Sequence, residues 1–384
     1  MRAIRDFGNP RKSTAGKRIE AATFEPSMYR KCARGVAALA SCATLACGVG
    51  GESVFDPPRP PTIDSGAAEP DSASSAPGSS SDGGPIEGVA PCSAGATVIY
   101  LLDTSDVLHS FDPTRIPAAS AMKTIGSLTC ATSSGAWAGA SSMAVDRNAV
   151  AWVTDRNGAL FKVDTRDATC QAMNLQAQGG FTKVGMGFAG DVASGTETLY
   201  VADTTNPAIT GGGLGLGTID LSTLDLRPIA NFGGSFAGFG AELTGTGDGR
   251  LFGFFPELRE LAQIDPSDAH VSSSISLPAG TAVSGSGEFD FAISFWGGVF
   301  FIYTAWPGGI PGDTTDVREV DPVSGQTTVV MSQVGFDVVG AGSSTCITTH
   351  GDVRAILSAA ADADAATDAP HQSDASVDDD GADP

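Results

Sequence analysis

Positive charge is what this sequence most lacks. Lys and Arg number 22 against 44 Asp and Glu, a formal net charge of −22. Nucleic-acid binding needs a basic footprint, so this balance excludes nucleic acid as a partner class. Charge of either sign is sparse too, at 17% of residues, below the ~25% usual in globular chains. Its place is taken by 49 Gly and by Ser, Thr and Ala, a composition that suits a turn-rich exported β protein better than a helical cytoplasmic enzyme. No Cys-x-x-Cys pair occurs, and His109, His270, His350 and His371 are scattered, which argues against a structural zinc site. There is no Gly-x-Ser-x-Gly nucleophile turn matched to a His, and no Gly-x-x-x-x-Gly-Lys-Ser/Thr phosphate loop. The Gly-rich run 211–217 opens no helical pattern and reads as an insertion between strands.

What charge there is lies unevenly. Residues 1–46 hold nine Lys and Arg against three Asp and Glu, net +6, so everything after them is net −28. Tyr29-Arg30-Lys31 and Arg34 precede an apolar run at 36–46. Eleven residues cannot span a bilayer as a helix, which needs ~20, but they match the apolar core of a signal peptide. The run ends in Leu45-Ala46-Cys47-Gly48, which resembles a bacterial lipoprotein processing site, with Leu39-Ala40-Ser41-Cys42 as the alternative. The resemblance implies a lipid on Cys47 (or Cys42), a membrane partner through that lipid, and an address at the outer membrane or cell surface. Residues 1–27 do not fit such a signal, and Met28 is the expected start of a signal over 28–46.

Residues 47–90 are rich in Pro, Ser and Gly and poor in large apolar residues, so nothing offsets the entropy of ordering them. They read as a flexible tether. Residues 352–384 form an acidic tail, with eight Asp and no Lys, Arg or Glu from 358 onward. Both read as disordered. The body, 91–351, is long enough to bury a full core.

The body repeats. A short strand ending in an apolar residue and Asp recurs as Leu108-His-Ser-Phe-Asp112, Leu160-Phe-Lys-Val-Asp164, Gly217-Thr-Ile-Asp220, Leu261-Ala-Gln-Ile-Asp265 and Val317-Arg-Glu-Val-Asp321, at spacings of 52, 56, 45 and 56. Each Asp opens a turn by accepting from backbone N–H groups ahead of it. Another strand precedes each of these, and in the second unit the two are joined through Asn157-Gly158, a strong hairpin signal. A third follows each turn, at 123–130, 170–175, 226–232, 271–277 and 327–333. A fourth, rich in small residues, starts at Ser142, Gly185, Glu242, Asp290 and Asp337. The first unit lacks its own, and the fifth has one to spare. Four strands repeated five times predict an all-β, five-bladed β-propeller closed by the C-terminal strand. The pattern loosely resembles extracytoplasmic propellers of the NHL and quinone-repeat type. The quinone-repeat family's late Trp is missing here, so no quinone site is implied.

Beyond Cys47 four Cys remain, and an exported address favours disulfides. Ring closure would bring Cys346 beside Cys92, which leaves Cys130 for Cys170 by elimination; four free thiols are the alternative.

Aligned by repeat, Glu242, Asp290 and Asp337 would ring one mouth of the channel, where oxygen ligands could hold Ca²⁺ as a metal cofactor. Trp137, Phe181, Phe236 and Trp306 lie in loops expected at the same mouth, placed for a glycan or protein ligand or else to plug gaps between blades. The expectation is a monomeric binding or scaffold module with no catalytic residues. The alternative is a cation-dependent hydrolase or lactonase built on the three carboxylates.

Overall fold

The computed structural model describes residues 92–133, 137–176, 179–191, 194–204, 213–281, 290–305 and 314–347, together with Phe55. Blade 1 contains β1 (Ile99–Asp103), β2 (Val107–Phe111) and β3 (Met122–Ser127). Blade 2 holds β4 (Ala140–Val145), β5 (Val150–Asp155), β6 (Leu160–Asp164) and β7 (Cys170–Met173). Blade 3 holds β8 (Val184–Asp191), β9 (Thr196–Asp203), β10 (Leu216–Asp220) and β11 (Asp225–Ala230). Blade 4 holds β12 (Glu242–Gly245), β13 (Leu251–Phe255), β14 (Glu260–Ile264) and β15 (Val271–Ser276). Blade 5 holds β16 (Phe291–Trp296), β17 (Val299–Thr304), β18 (Asp316–Val320) and β19 (Thr327–Met331). The last strand, β20 (Val338–Ser343), pairs antiparallel with β1, Ile99 opposite Ser343, and completes blade 1. The result is five antiparallel sheets of four strands. Their first strands touch in a closed cycle, β20 to β4, β8, β12, β16 and back to β20. This is the five-bladed propeller that the repeat predicts.

The local chemistry follows the sequence. Asp112, Asp164, Asp220, Asp265 and Asp321 each accept the backbone N–H two residues ahead through Oδ1. At the Asn157-Gly158 turn, Asp155 Oδ1 accepts from the N–H groups of Asn157 and Ala159 at 2.9 Å each. Gly158 has φ +80° and lies so close to Thr182 O that a Cβ would approach to 2.6 Å.

The core consists of five layers, one in each seam between neighbouring blades. Leu102 and Leu108 meet Met143 and Val153 between blades 1 and 2. Phe188 and Val201 meet Trp152 between blades 2 and 3. Phe232 and Leu216 meet Phe255 between blades 3 and 4. Phe254 meets Phe291 and Ile302 between blades 4 and 5, and Trp296 and Tyr303 meet Phe111 between blades 5 and 1. Each blade is thus apolar on both faces, as a sheet sandwiched between sheets must be.

Both expected disulfides are present. Cys92–Cys346 has a Cα–Cα distance of 6.2 Å and closes a separation of 254 residues, next to the β1–β20 closure. Cys130–Cys170 has a Cα–Cα distance of 5.6 Å. Cys130 does not end a strand, however: β3 stops at Ser127, and Cys130 lies on a short helical turn, α1 (Thr129–Ser133). Two disulfides fit an exported protein.

Candidate functional site

The inner strands all run the same way, so the channel has one end where they start and one where they finish. Near the start lies a polar cluster shared by three blades. Ser142 Oγ donates to Glu242 Oε2 at 3.0 Å and accepts from the Met186 N–H at 3.1 Å. Ser142 is fully buried and Glu242 is 5% exposed. Burial pushes the Glu242 carboxyl well above the usual range, although the Ser142 hydroxyl and the N–H groups of Met186 and Leu243 pull the other way. Gly185 leaves the space that Glu242 fills, since a Cβ there would lie 2.9 Å from Glu242 Oε2 and 2.3 Å from Ala241 O. Further along, Thr244 Oγ1 accepts from the Phe295 N–H at 2.9 Å, and Ser343 Oγ donates to Phe295 O at 2.6 Å. The small hydroxyl residues of the inner strands therefore tie blade to blade, Ser142 reaching past blade 3 to blade 4.

Three of the five residues aligned by repeat, Ser142, Gly185 and Glu242, come together in this way. Asp290 and Asp337 do not join them. Phe295 sits beside both Thr244 and Ser343. Glu242 precedes Thr244 by two positions, whereas Asp290 precedes Phe295 by five and Asp337 precedes Ser343 by six. Asp290 and Asp337 each lie just before the first residue of their strands, farther out than Glu242. Asp337 instead lies near Asp103 of its own blade; burial, with Asp103 in second place, raises its carboxyl pKa. Among the described residues no group of three His, Cys, Asp or Glu is placed to hold a metal ion. Among the described residues, Glu242, Asp290 and Asp337 are thus not gathered into the one group expected to hold Ca²⁺.

Of the two readings of the loop aromatics, Phe181 and Phe236 follow the gap-plugging one. Phe181 and Phe236 are 4% and 8% exposed. The first packs between blades 2 and 3, and the second between blades 3 and 4 with its ring 4.8 Å from Phe255. They plug seams because the loops that carry them enter between two apolar sheet faces. Trp137 is half-buried, with its ring edge-on to Phe161 at 4.9 Å and its Nε1–H donating to Asp106 Oδ2 at 2.8 Å. Asp106 Oδ1 accepts from the Ala140 N–H at 2.8 Å, so this pair fixes the crossing from blade 1 to blade 2. Trp306, Cys42 and Cys47 lie outside the described residues.

Concave space lies elsewhere. A groove of about 690 Å³ opens between blades 1 and 2 at the finishing end of the inner strands, lined among others by Tyr100, Asn148, Lys162, Arg166, Thr169 and Gln171. Lys162 is exposed, and its ammonium stands 5.7 Å from the Trp152 ring. Arg166 pairs with Asp164, and that pairing lowers the Asp164 pKa to about 2. Lys162, Asp164 and Arg166 are the charged residues of this rim, which sits in a body of net charge −14. Nothing in the sequence marks the groove, because its residues are ordinary polar residues that meet only through the packing of two repeats.

At the same end a second network spans blades 1, 2 and 3. Glu197 accepts from the Arg147 N–H at 2.8 Å and from Thr345 Oγ1 at 2.8 Å. Arg147 donates through Nη1 to Gly195 O at 3.0 Å. Burial raises the Glu197 pKa to about 7 against those hydrogen bonds. Sequence reasoning missed this cluster too, since Glu197 lies in an unremarkable strand.

No known family matches the chain, and no curated protein does. Solved structures with a similar course of chain include one titled as a nidogen/laminin complex, at 9% identity, covering 64% of this chain and 97% of that one, with a TM-score of 0.39. A structural genomics protein of unknown function from Bacteroides thetaiotaomicron is 12% identical, with 62% and 56% covered and a TM-score of 0.37. Virginiamycin B lyase from Staphylococcus aureus is 12% identical, with 58% and 68% covered and a TM-score of 0.31. Similarity at this level says nothing of function.

Proposed function

We propose that this chain is an exported, lipid-anchored binding protein whose propeller holds a glycan in the groove between blades 1 and 2. The observation that carries the reading is the groove itself. It is concave, about 690 Å³ in volume, and edged by Lys162, Arg166, Asn148 and Gln171, whose N–H groups suit hydroxyl and carboxylate oxygens. Asp164 lies in the same rim and is paired with Arg166, so Lys162 is the surplus cation, and at short range it favours a ligand with carboxylates, an acidic glycan over a neutral one, against the field of an acidic body. The export half of the reading rests on the two disulfides and on the signal-like run ending at Cys47.

The test uses oligogalacturonate against a neutral glucan of equal length. Wild-type protein should bind the acidic oligomer more tightly, with affinity falling as salt rises. Lys162→Ala should weaken binding five- to tenfold. Absence of binding to both oligomers, or binding unchanged by Lys162→Ala, would remove the groove from consideration. Incorporation of a palmitate analogue that is lost in Cys47→Ser supports the anchor; loss only in Cys42→Ser moves it to the earlier Cys.

A further inference from the structure

Phe55 lies in the stretch whose composition predicts a free tether, yet it is 3% exposed. It belongs to the apolar layer between blades 4 and 5. Its ring meets Phe252 of blade 4 edge-on at 5.0 Å and Phe300 of blade 5 edge-on at 5.7 Å. Phe295 completes the aromatic group, 5.0 Å from Phe300 and 6.1 Å from Phe252. Edge-to-face contact is the favoured geometry for aromatic rings. Burying one Phe side chain favours the docked form by a factor of roughly ten to a hundred before the ordering of its neighbours is counted.

We infer that Phe55 is a docking plug that pins the tether into the seam between blades 4 and 5. The position of the plug sets the consequence. Eight residues separate Cys47 from Phe55, and 45 separate Cys47 from Cys92. At a maximum of ~3.5 Å per residue, the first span reaches about 28 Å and the second about 160 Å. Pinning at Phe55 turns a long leash into a short one. With a lipid on Cys47, Phe55 and the seam that holds it would stay within about 28 Å of the anchor. The pinning stands on Phe55 alone; its membrane consequence rests on the lipid-anchor reading above.

The sequence around the plug suits this role. Phe55 is the single aromatic residue between 47 and 90, and Asp56-Pro57-Pro58-Arg59-Pro60-Pro61 follows it. Prolines are stiff and lose little entropy when a neighbour docks.

Photo-crosslinking of the full chain tests the inference. With benzoylphenylalanine in place of Phe55, crosslinks should map to Leu251–Phe255 and Val299–Thr304, and equally so when Cys47→Ser removes the lipid site. Crosslinks scattered over the body would overturn the pinning. Hydrogen exchange supplies a second measurement. Phe55→Ala should speed exchange about tenfold in those two strands and leave blade 2 unchanged, with Phe55→Leu between the two; identical exchange in all three proteins would also overturn it. If crosslinks stay in place while Cys47→Ser leaves membrane association intact, the plug holds and the anchor reading fails.

Discussion

Ser142 Oγ and Glu242 Oε2 are 3.0 Å apart although their residues belong to blades 2 and 4, which are not neighbours in the ring. The bond links blades 2 and 4 directly, and the Met186 N–H brings in blade 3. A glutamate in this position acts as a strut. Its carboxyl is buried and held toward the protonated form, in which it can donate as well as accept.

Removing the strut should therefore cost stability rather than activity. Ser142→Ala deletes one partner and leaves a buried carboxyl less satisfied, a loss of about 1–3 kcal/mol. Gly185→Ala should cost at least as much, because its Cβ would lie 2.3 Å from Ala241 O, a backbone atom that cannot rotate away. Glu242→Gln should be the mildest change of the three. Urea unfolding at pH 6 ranks them; a Gly185→Ala protein as stable as wild type would show that the inner strands can shift.

Stability should fall as pH rises from about 4.5 to about 7, and Glu197 is one cause. Its pKa is about 7 in the folded protein and 4.5 without the fold, so across that window the folded state holds the extra proton. The proton's contribution is complete below the lower value and gone above the higher one, with a span of about 3 kcal/mol. Asp146 adds to the upward shift and Arg147 opposes it. Glu197→Gln should flatten this slope. Denaturation midpoints at pH 5, 6, 7 and 8 measure it, and a slope that survives the change in full would be assigned to the other raised carboxyls, Glu242, Glu257 and Asp337.

The two disulfides should differ in weight. Cys92–Cys346 closes 254 residues and Cys130–Cys170 closes 40. Loop-closure entropy gives about 5 kcal/mol for the first and about 4 for the second as upper figures. Cys92→Ser with Cys346→Ser should thus lower Tm more than the Cys130→Ser and Cys170→Ser pair. It should also raise exchange in β20 and β1 first, because those strands close the ring.

Most of the fold was legible because its signals are local. The turn made by Asp112 needs only Asp112 and the N–H groups just ahead of it, and the same holds for its four counterparts. The spare strand at 338–343 was a matter of counting, and closure then placed Cys346 beside Cys92. The candidate site was not legible in the same way. Whether Glu242 faces Asp290 depends on the stagger between blades, which packing sets and no turn residue records. Phe181 and Phe236 looked like loop aromatics, and only the seams they fill make them core. Phe55 was hidden by its surroundings, since one aromatic residue among prolines, serines and glycines does not alter a composition that reads as unfolded.

Trp137 and Lys162 separate folding from recognition. The Trp137 indole N–H is bound to Asp106, and the ring packs on Phe161, so its polar edge is already used inside the protein. Trp137→Phe keeps the ring contact and loses the hydrogen bond; because Asp106 is charged, stability should drop by about 1–2 kcal/mol. Capture of oligogalacturonate should not change. Lys162 is exposed at the groove and makes no ion pair among the described residues, so Lys162→Ala should leave the unfolding midpoint within about 0.5 kcal/mol of wild type while weakening the ligand. Paired titrations and melts on the two variants read both quantities. If Trp137→Phe weakens capture as much as Lys162→Ala does, the ligand sits at the starting end of the channel, where the sequence first placed it.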